Sequence, residues 1–129
     1  PYGVEAMIIA YLHDVVEDTD TTIKDIDNLF GKFIAECVYY LTDEEADNRS
    51  ERKKLTNKKL LNVPYTHNIA LVVKAADRLA NINESYASEN TKYFNRYLSE
   101  YNDFKEAVER CHICENIWLH LDFFHDLKI

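Results

Sequence analysis

A chain of 129 residues is long enough for one ordinary hydrophobic core and too short for two, so a single domain over 1–129 is expected. Only two glycines and two prolines leave too few turn formers for a sheet protein, and the composition predicts an all-α fold with short connections. A net charge of −8 disfavours nucleic acid and anionic membrane surfaces as partners, 47% hydrophobic residues exclude disorder, and no apolar run approaches the ~20 residues of a membrane span.

Residues 3–17 set Val4, Met7, Ile8, Tyr11, Leu12, Val15 and Val16 at spacings of three and four, which predicts an amphipathic helix ending near EDTD (17–20). Its opening, PYGVEAM, has no basic stretch followed by an apolar run, so no signal-peptide pattern is read there. Thr21 or Thr22 then caps a short helix carrying Ile23, Ile26, Leu29 and Phe30, and Gly31 breaks it. KFIAECVYYL (32–41) is apolar on most sides and is expected to be the central helix. TDEEADNRS (42–50) reads as a loop into a basic helix over 51–62, stopped by Pro64.

A longer helix over 67–87 carries Ile69, Leu71, Val72, Val73, Ala76, Leu79, Ala80 and Ile82, and two more helices span 90–108 and 109–125. Tyr93, Tyr97 and Tyr101 share one face and read as a core edge. CHIC (111–114) falls in the apolar pattern of the last helix. A structural zinc site needs four ligands and generally a second such pair, so Cys111 and Cys114 are expected to be buried small hydrophobes. With Cys37 they suit a reducing compartment, and a cytoplasmic location is expected.

The chemistry concentrates in HDVVED (13–18). His13 and Asp14 diverge by ~100° around a helix, so both reach one ion only near the helix end, with another helix closing the shell. Glu17 and Asp18 follow one turn on. In VVKAADRLANI (72–82), Asp77 is flanked by apolar residues and expected to be partly buried, with Asn81 one turn further on the same face. Buried acids are normally paired or metal-bound. Taken singly, His13 and Asp14 could form an N–H···carboxylate pair, and Lys74 or Arg78 could bridge Asp77. As a set at this spacing they favour a metal.

AYLHDVVEDTDTT (10–22), followed 63 residues after Asp14 by Asp77 in VVKAADRLANI, resembles the HD-domain metal phosphohydrolases. More narrowly it is similar to the branch that hydrolyses guanosine tetra- and pentaphosphate, with its H-D-x-V-E-D-T and K-x-A-D-[RK]-L-x-N motifs. FGKFIAECVYYLTDEE (30–45) is similar to the segment between them. The resemblance implies an all-α HD-domain bundle with His13, Asp14 and Asp77 as metal ligands and Mn²⁺ as the usual ion. It implies Glu17, with Asp18, orienting the attacking water or taking its proton, and Asn81 holding the water or a phosphate oxygen. The expected reaction converts guanosine 3′-diphosphate 5′-di- or triphosphate to GDP or GTP plus pyrophosphate.

Residues 49–59 hold six of the fifteen lysines and arginines, and read by themselves as a solvated helix face or a phosphate-facing patch. The resemblance implies phosphate contacts at Arg49, Arg52, Lys53 and Lys54, with Arg78 bordering the site. It also implies one further histidine ligand on an earlier helix, whereas the twelve residues before His13 contain none. The domain is therefore expected to be short of the family's N-terminal helix. A longer parent chain, a ligand from elsewhere and a domain that has lost turnover are the three accounts of that departure. His67 stands ten residues before Asp77 and is expected at the surface or as a cap. His125-Asp126 lacks the following acids, and His112 and His120 are expected in the core or at its edge. Two alternatives to the alarmone hydrolase are an HD-type nucleotidase for another nucleotide and a non-catalytic module binding nucleotide or protein. The E-D-T signature opposes the first, and Glu17, Asp18 and Asn81 together oppose the second.

Overall fold

A computed structural model describes residues 3–127. Seven α-helices account for the fold, with no strand among the described residues: α1 Gly3–Asp18, α2 Ile23–Phe30, α3 Lys32–Leu41, α4 Arg49–Leu61, α5 Asn68–Ala87, α6 Thr91–Val108 and α7 Glu115–Leu127. A 3₁₀ turn, Tyr65–His67, leads into α5. None of these helices is long and apolar enough to cross a membrane.

Local chemistry explains most of the boundaries. Thr22 closes a reciprocal capping box with Asp25: the Asp25 amide donates to Thr22 Oγ1 at 3.2 Å, and the Thr22 amide donates to Asp25 Oδ2 at 3.0 Å. Gly31, at φ 93°, turns the chain between α2 and α3 in a conformation that a Cβ disfavours. Asn48 and Asn90 cap α4 and α6 by accepting from the amides of Glu51 and Tyr93.

The apolar stripes meet in two clusters that share α5. Ile9, Leu12, Ile26, Val38 and Leu41 pack with Ala70 and Val73 on one side of α5. Leu60, Phe104, Trp118 and Leu121 pack with Leu71, Ala75 and Ile82 on the other. The central helix is therefore α5 and not α3, as expected from its apolar sequence, because only α5 has buried residues in both clusters. α1 is covered on one side only: Ile9 and Leu12 are buried, whereas Val4 and Met7 remain 72% and 71% exposed.

The last helix starts later than its apolar pattern suggests. α6 ends at Val108 with Glu109 extended, and residues 109–114 form a loop with left-handed backbone at His112 (φ 63°) and Cys114 (φ 42°). Arg110 fixes that loop by donating to the carbonyls of Ala107, Leu60 and Leu61. Cys111 and His112 are consequently exposed, and Cys114 is half-buried, contrary to the expectation of buried helical residues. His120 also points outward, from the exposed side of α7. Of the tyrosine stripe, Tyr101 is buried, Tyr97 half-buried and Tyr93 exposed, as suits a core edge.

Candidate active site

The C-terminal turn of a helix carries partial negative charge. α1 nevertheless ends in Asp14, Glu17 and Asp18 with no basic residue in its last turn. Buried His13 lies among them, its Nδ1 2.7 Å from the Ala10 carbonyl. A carbonyl only accepts, so Nδ1 carries the proton and Nε2 is left facing Asp14 Oδ1 at 3.2 Å. In the neutral ring these are two acceptors with nothing shared between them, an arrangement that a proton or a cation resolves. One ligand atom from each of His13, Asp14 and Glu17 lies within 4.8 Å of the others. Glu17 is oriented from outside the helix, where the Asp43 amide donates to its Oε2 at 3.1 Å.

Asp77 and Asn81, one turn apart on α5, line the same cavity of about 370 Å³. The Asn81 amide donates to Asp77 Oδ2 at 3.4 Å. Asp77 is exposed and not partly buried as expected, because α5 turns Ala75 and Arg78 inward and leaves Ala76 and Asp77 on its open side. Neither neighbouring base bridges it: Lys74 Nζ lies 3.7 Å from Asp43 Oδ1, and Arg78 Nη1 3.5 Å from Glu100 Oε1.

The remaining wall is basic and comes from α4 and α5. Arg49, Lys53, Lys74 and Arg78 line it, with Asp43 and Tyr97. Lys53 donates to Asp43 Oδ2 at 3.2 Å, while Arg49 grips Glu100 through two bonds of 2.8 and 3.1 Å. Arg78 is buried with its guanidinium over the Phe104 ring at 4.2 Å and near Tyr97 at 5.1 Å. Burial by itself would raise the Asp43 carboxyl, but Lys74 and Lys53 outweigh it and hold that group below the usual carboxylate range. The same balance, won by Arg49 and Arg78, holds Glu100 low. Burial pushes the Lys74 ammonium below its ordinary value, with Asp43 opposing. Even so, Asp43 Oδ1 and Arg78 Nη1 are buried without a hydrogen-bond partner. Satisfied polar groups are the rule in protein interiors, and exceptions of this kind mark unfinished business at a site.

Eight of the residues singled out in the sequence thus share one cavity: His13, Asp14, Glu17, Asp77 and Asn81 on its acidic side, and Arg49, Lys53 and Arg78 on its basic side. Three are outside its lining. Asp18 is exposed as the last residue of α1, Arg52 is half-buried elsewhere on α4, and Lys54 lines a larger groove of about 940 Å³ between α4 and α6. Asp43, Lys74, Tyr97 and Glu100 were not singled out as site residues. Lys74 and Asp43 fall inside the quoted motifs and Tyr97 inside the tyrosine stripe, whereas no local pattern marks Glu100. The spare histidines are engaged elsewhere. His67 packs on Phe33 and Tyr40 and faces Glu36 at 3.4 Å, and His125 stacks on Tyr101 at 4.8 Å.

No protein-family model matches the chain. Individual proteins do. The guanosine-3′,5′-bis(diphosphate) 3′-pyrophosphohydrolase MESH1 of Danio rerio is 36% identical over 105 residues, covering 81% of this chain and 57% of that protein. Its Homo sapiens counterpart is 37% identical over 99 residues, 77% of this chain and 54% of that protein. The probable guanosine-3′,5′-bis(diphosphate) 3′-pyrophosphohydrolase of Mycoplasma pneumoniae is 38% identical over 80 residues, 55% of this chain and 11% of that one. In fold, the crystal structure of lmo0812 from Listeria monocytogenes superposes with a TM-score of 0.72 at 19% identity, over 95% of this chain and 85% of that one. The chain spans a little over half the length of the MESH1 proteins it matches. Over that shared length it is similar in sequence to the guanosine-3′,5′-bis(diphosphate) 3′-pyrophosphohydrolases.

Proposed function

We propose that this chain removes the 3′-pyrophosphate of guanosine 3′-diphosphate 5′-di- or triphosphate, giving GDP or GTP and pyrophosphate, with a divalent metal, Mn²⁺ by family habit. The observation that carries the reading is one cavity with imidazole and carboxylate donors on one side and four cations on the other. That division suits a metal-assisted attack on a polyanion: the acids alone repel the substrate, and the cations alone activate nothing.

The donor set fits a fairly hard divalent ion. Imidazole Nε2 faces an Asp14 oxygen, and the carboxylates of Glu17, Asp43 and Asp77 border the same cavity. We assign His13, Asp14 and Asp77 as its ligands. When bound, such an ion acidifies water and draws charge from a phosphoryl oxygen. The chain's own groups do the rest. Glu17, oriented by the Asp43 amide, takes the proton of the attacking water, and Asp18 beside it adds negative potential. Asn81 turns its amide from Asp77 to a phosphate oxygen. Arg49, Lys53, Lys74 and Arg78 neutralise the two diphosphates, and Arg52 and Lys54 extend that field along α4.

The test is release of pyrophosphate from guanosine 3′,5′-bis(diphosphate), with and without Mn²⁺. Metal-dependent release, reduced at least ~10²-fold in Asp77→Ala, is the expected result. Tight nucleotide binding with no release at any metal concentration would turn the reading toward a binding module.

A further inference from the structure

The cations of the basic wall are paired with two carboxylates, Asp43 with Lys53 and Lys74, and Glu100 with Arg49 and Arg78. Arg49 Nε and Nη2 bond the two oxygens of Glu100 at 2.8 and 3.1 Å. This planar fork is how arginine grips carboxylate and phosphate alike. Arg78 reaches toward Glu100 Oε1 at 3.5 Å, but its buried Nη1 has no hydrogen-bond partner there. One carboxylate is thus shared between two guanidiniums and satisfies only the first. Arg49 lines both the cavity of about 370 Å³ and the groove of about 940 Å³, and Glu100 lines the groove, so their ion pair stands between the two spaces.

We propose that Glu100 is an internal stand-in for a substrate phosphate, displaced when a polyphosphate binds, with Arg49 passing from the carboxylate to a phosphate oxygen. The inference rests on the reading of the cavity as a polyphosphate site, and it makes Glu100 a specificity-determining residue. Separating a partly buried ion pair has a cost that a weakly charged ligand does not offset. A diphosphate offsets it, because its oxygens satisfy Arg49 and also supply the missing acceptor for Arg78. The carboxylate therefore selects against single phosphates and keeps two arginines in position while the site is empty of substrate.

Calorimetric titration of the full chain with inorganic pyrophosphate, and separately with orthophosphate, tests this at one ionic strength without divalent metal. Glu100→Gln is expected to bind pyrophosphate about tenfold more tightly, and to gain more for orthophosphate, so that discrimination between the two narrows. In an Arg49→Gln background the same substitution is expected to give no gain. Glu100→Asp keeps the charge and shortens the reach, and a smaller gain of the same sign is expected for a chain with unchanged helical circular dichroism. Unchanged or weaker pyrophosphate binding in both Glu100 variants overturns the proposal. So does an equal gain with Arg49 removed, which would reduce the effect to general charge, and so does a lack of measurable binding by any of the chains. Because the titration needs neither metal nor turnover, it separates this inference from the hydrolysis reaction itself.

Discussion

Two polar clusters bracket α6, and they are finished to different degrees. Where α6 meets α7, Asp122 receives Tyr101 Oη and two bonds from Lys105, at 2.9 and 3.1 Å. Both of its oxygens are used, and the buried atom without a partner at this junction, Nδ1 of the His125 ring stacked on Tyr101, lies outside the ion pair. Where α6 meets α4 and α5, Glu100 and Asp43 are set against Arg49, Lys53, Lys74 and Arg78, and two buried atoms in that network lack partners. A satisfied cluster rigidifies a fold, whereas a half-satisfied one lowers stability and survives where a ligand completes it. The contrast separates a structural ion cluster from a functional one more sharply than charge or burial does.

Substitutions on the two sides are expected to move different quantities. Glu17→Gln leaves size and fold intact and removes the proposed proton acceptor, so turnover should fall by ~10²–10⁴-fold with little change in melting temperature. Steady-state release of pyrophosphate alongside thermal unfolding reads both. If turnover is retained, the base is another group. Asp122→Asn acts in the opposite sense: activity should persist while stability falls by about 1 kcal/mol, measured by urea unfolding, because the lost bonds are partly solvent-exposed.

Acid sharpens that second case. Burial would raise the Asp122 carboxyl, but bonds from Tyr101 and Lys105 hold it below the usual carboxylate range. A folded value below the unfolded one gives stability that is present above the unfolded value and is lost as pH falls through the folded one. Unfolding free energy should therefore drop below about pH 4, and Asp122→Asn should remove part of that slope. The slope belonging to Asp43 and Glu100 should remain in that variant, since both are also held low. The smallest effect is expected far from either cluster. Thr22→Ala breaks the capping box of α2 and should cost about 0.5–1 kcal/mol in the same urea experiment, leaving turnover unchanged.

Features set by near neighbours were readable before any coordinates. The cap of α2, read as Thr21 or Thr22 and found at Thr22, the break at Gly31 and the extent of α5 follow from local chemistry. The gathering of His13, Asp14, Glu17, Asp77 and Asn81 was also readable, because helical spacing and two linked motifs point them at one another. Choices made across the fold were not. Glu100 lies 51 residues from Arg49, and nothing near it in sequence says which base it will meet. Asp77 looked buried because its sequence neighbours are apolar, but the helix sends them inward and leaves it on the open side. CHIC looked helical from hydrophobicity alone, yet the left-handed turns at His112 and Cys114 and the Arg110 clamp set the start of α7 at Glu115.

The central claim is that His13 and Asp14 at the end of α1, together with Asp77 of α5, hold a divalent ion. The direct measurement is metal content by elemental analysis after incubation with Mn²⁺ and gel filtration, for the wild-type chain and Asp77→Ala. The account predicts about one ion per wild-type chain and loss of that ion in the variant, with the helical circular dichroism of both unchanged. An equal ion content in both, or none in either, would contradict it.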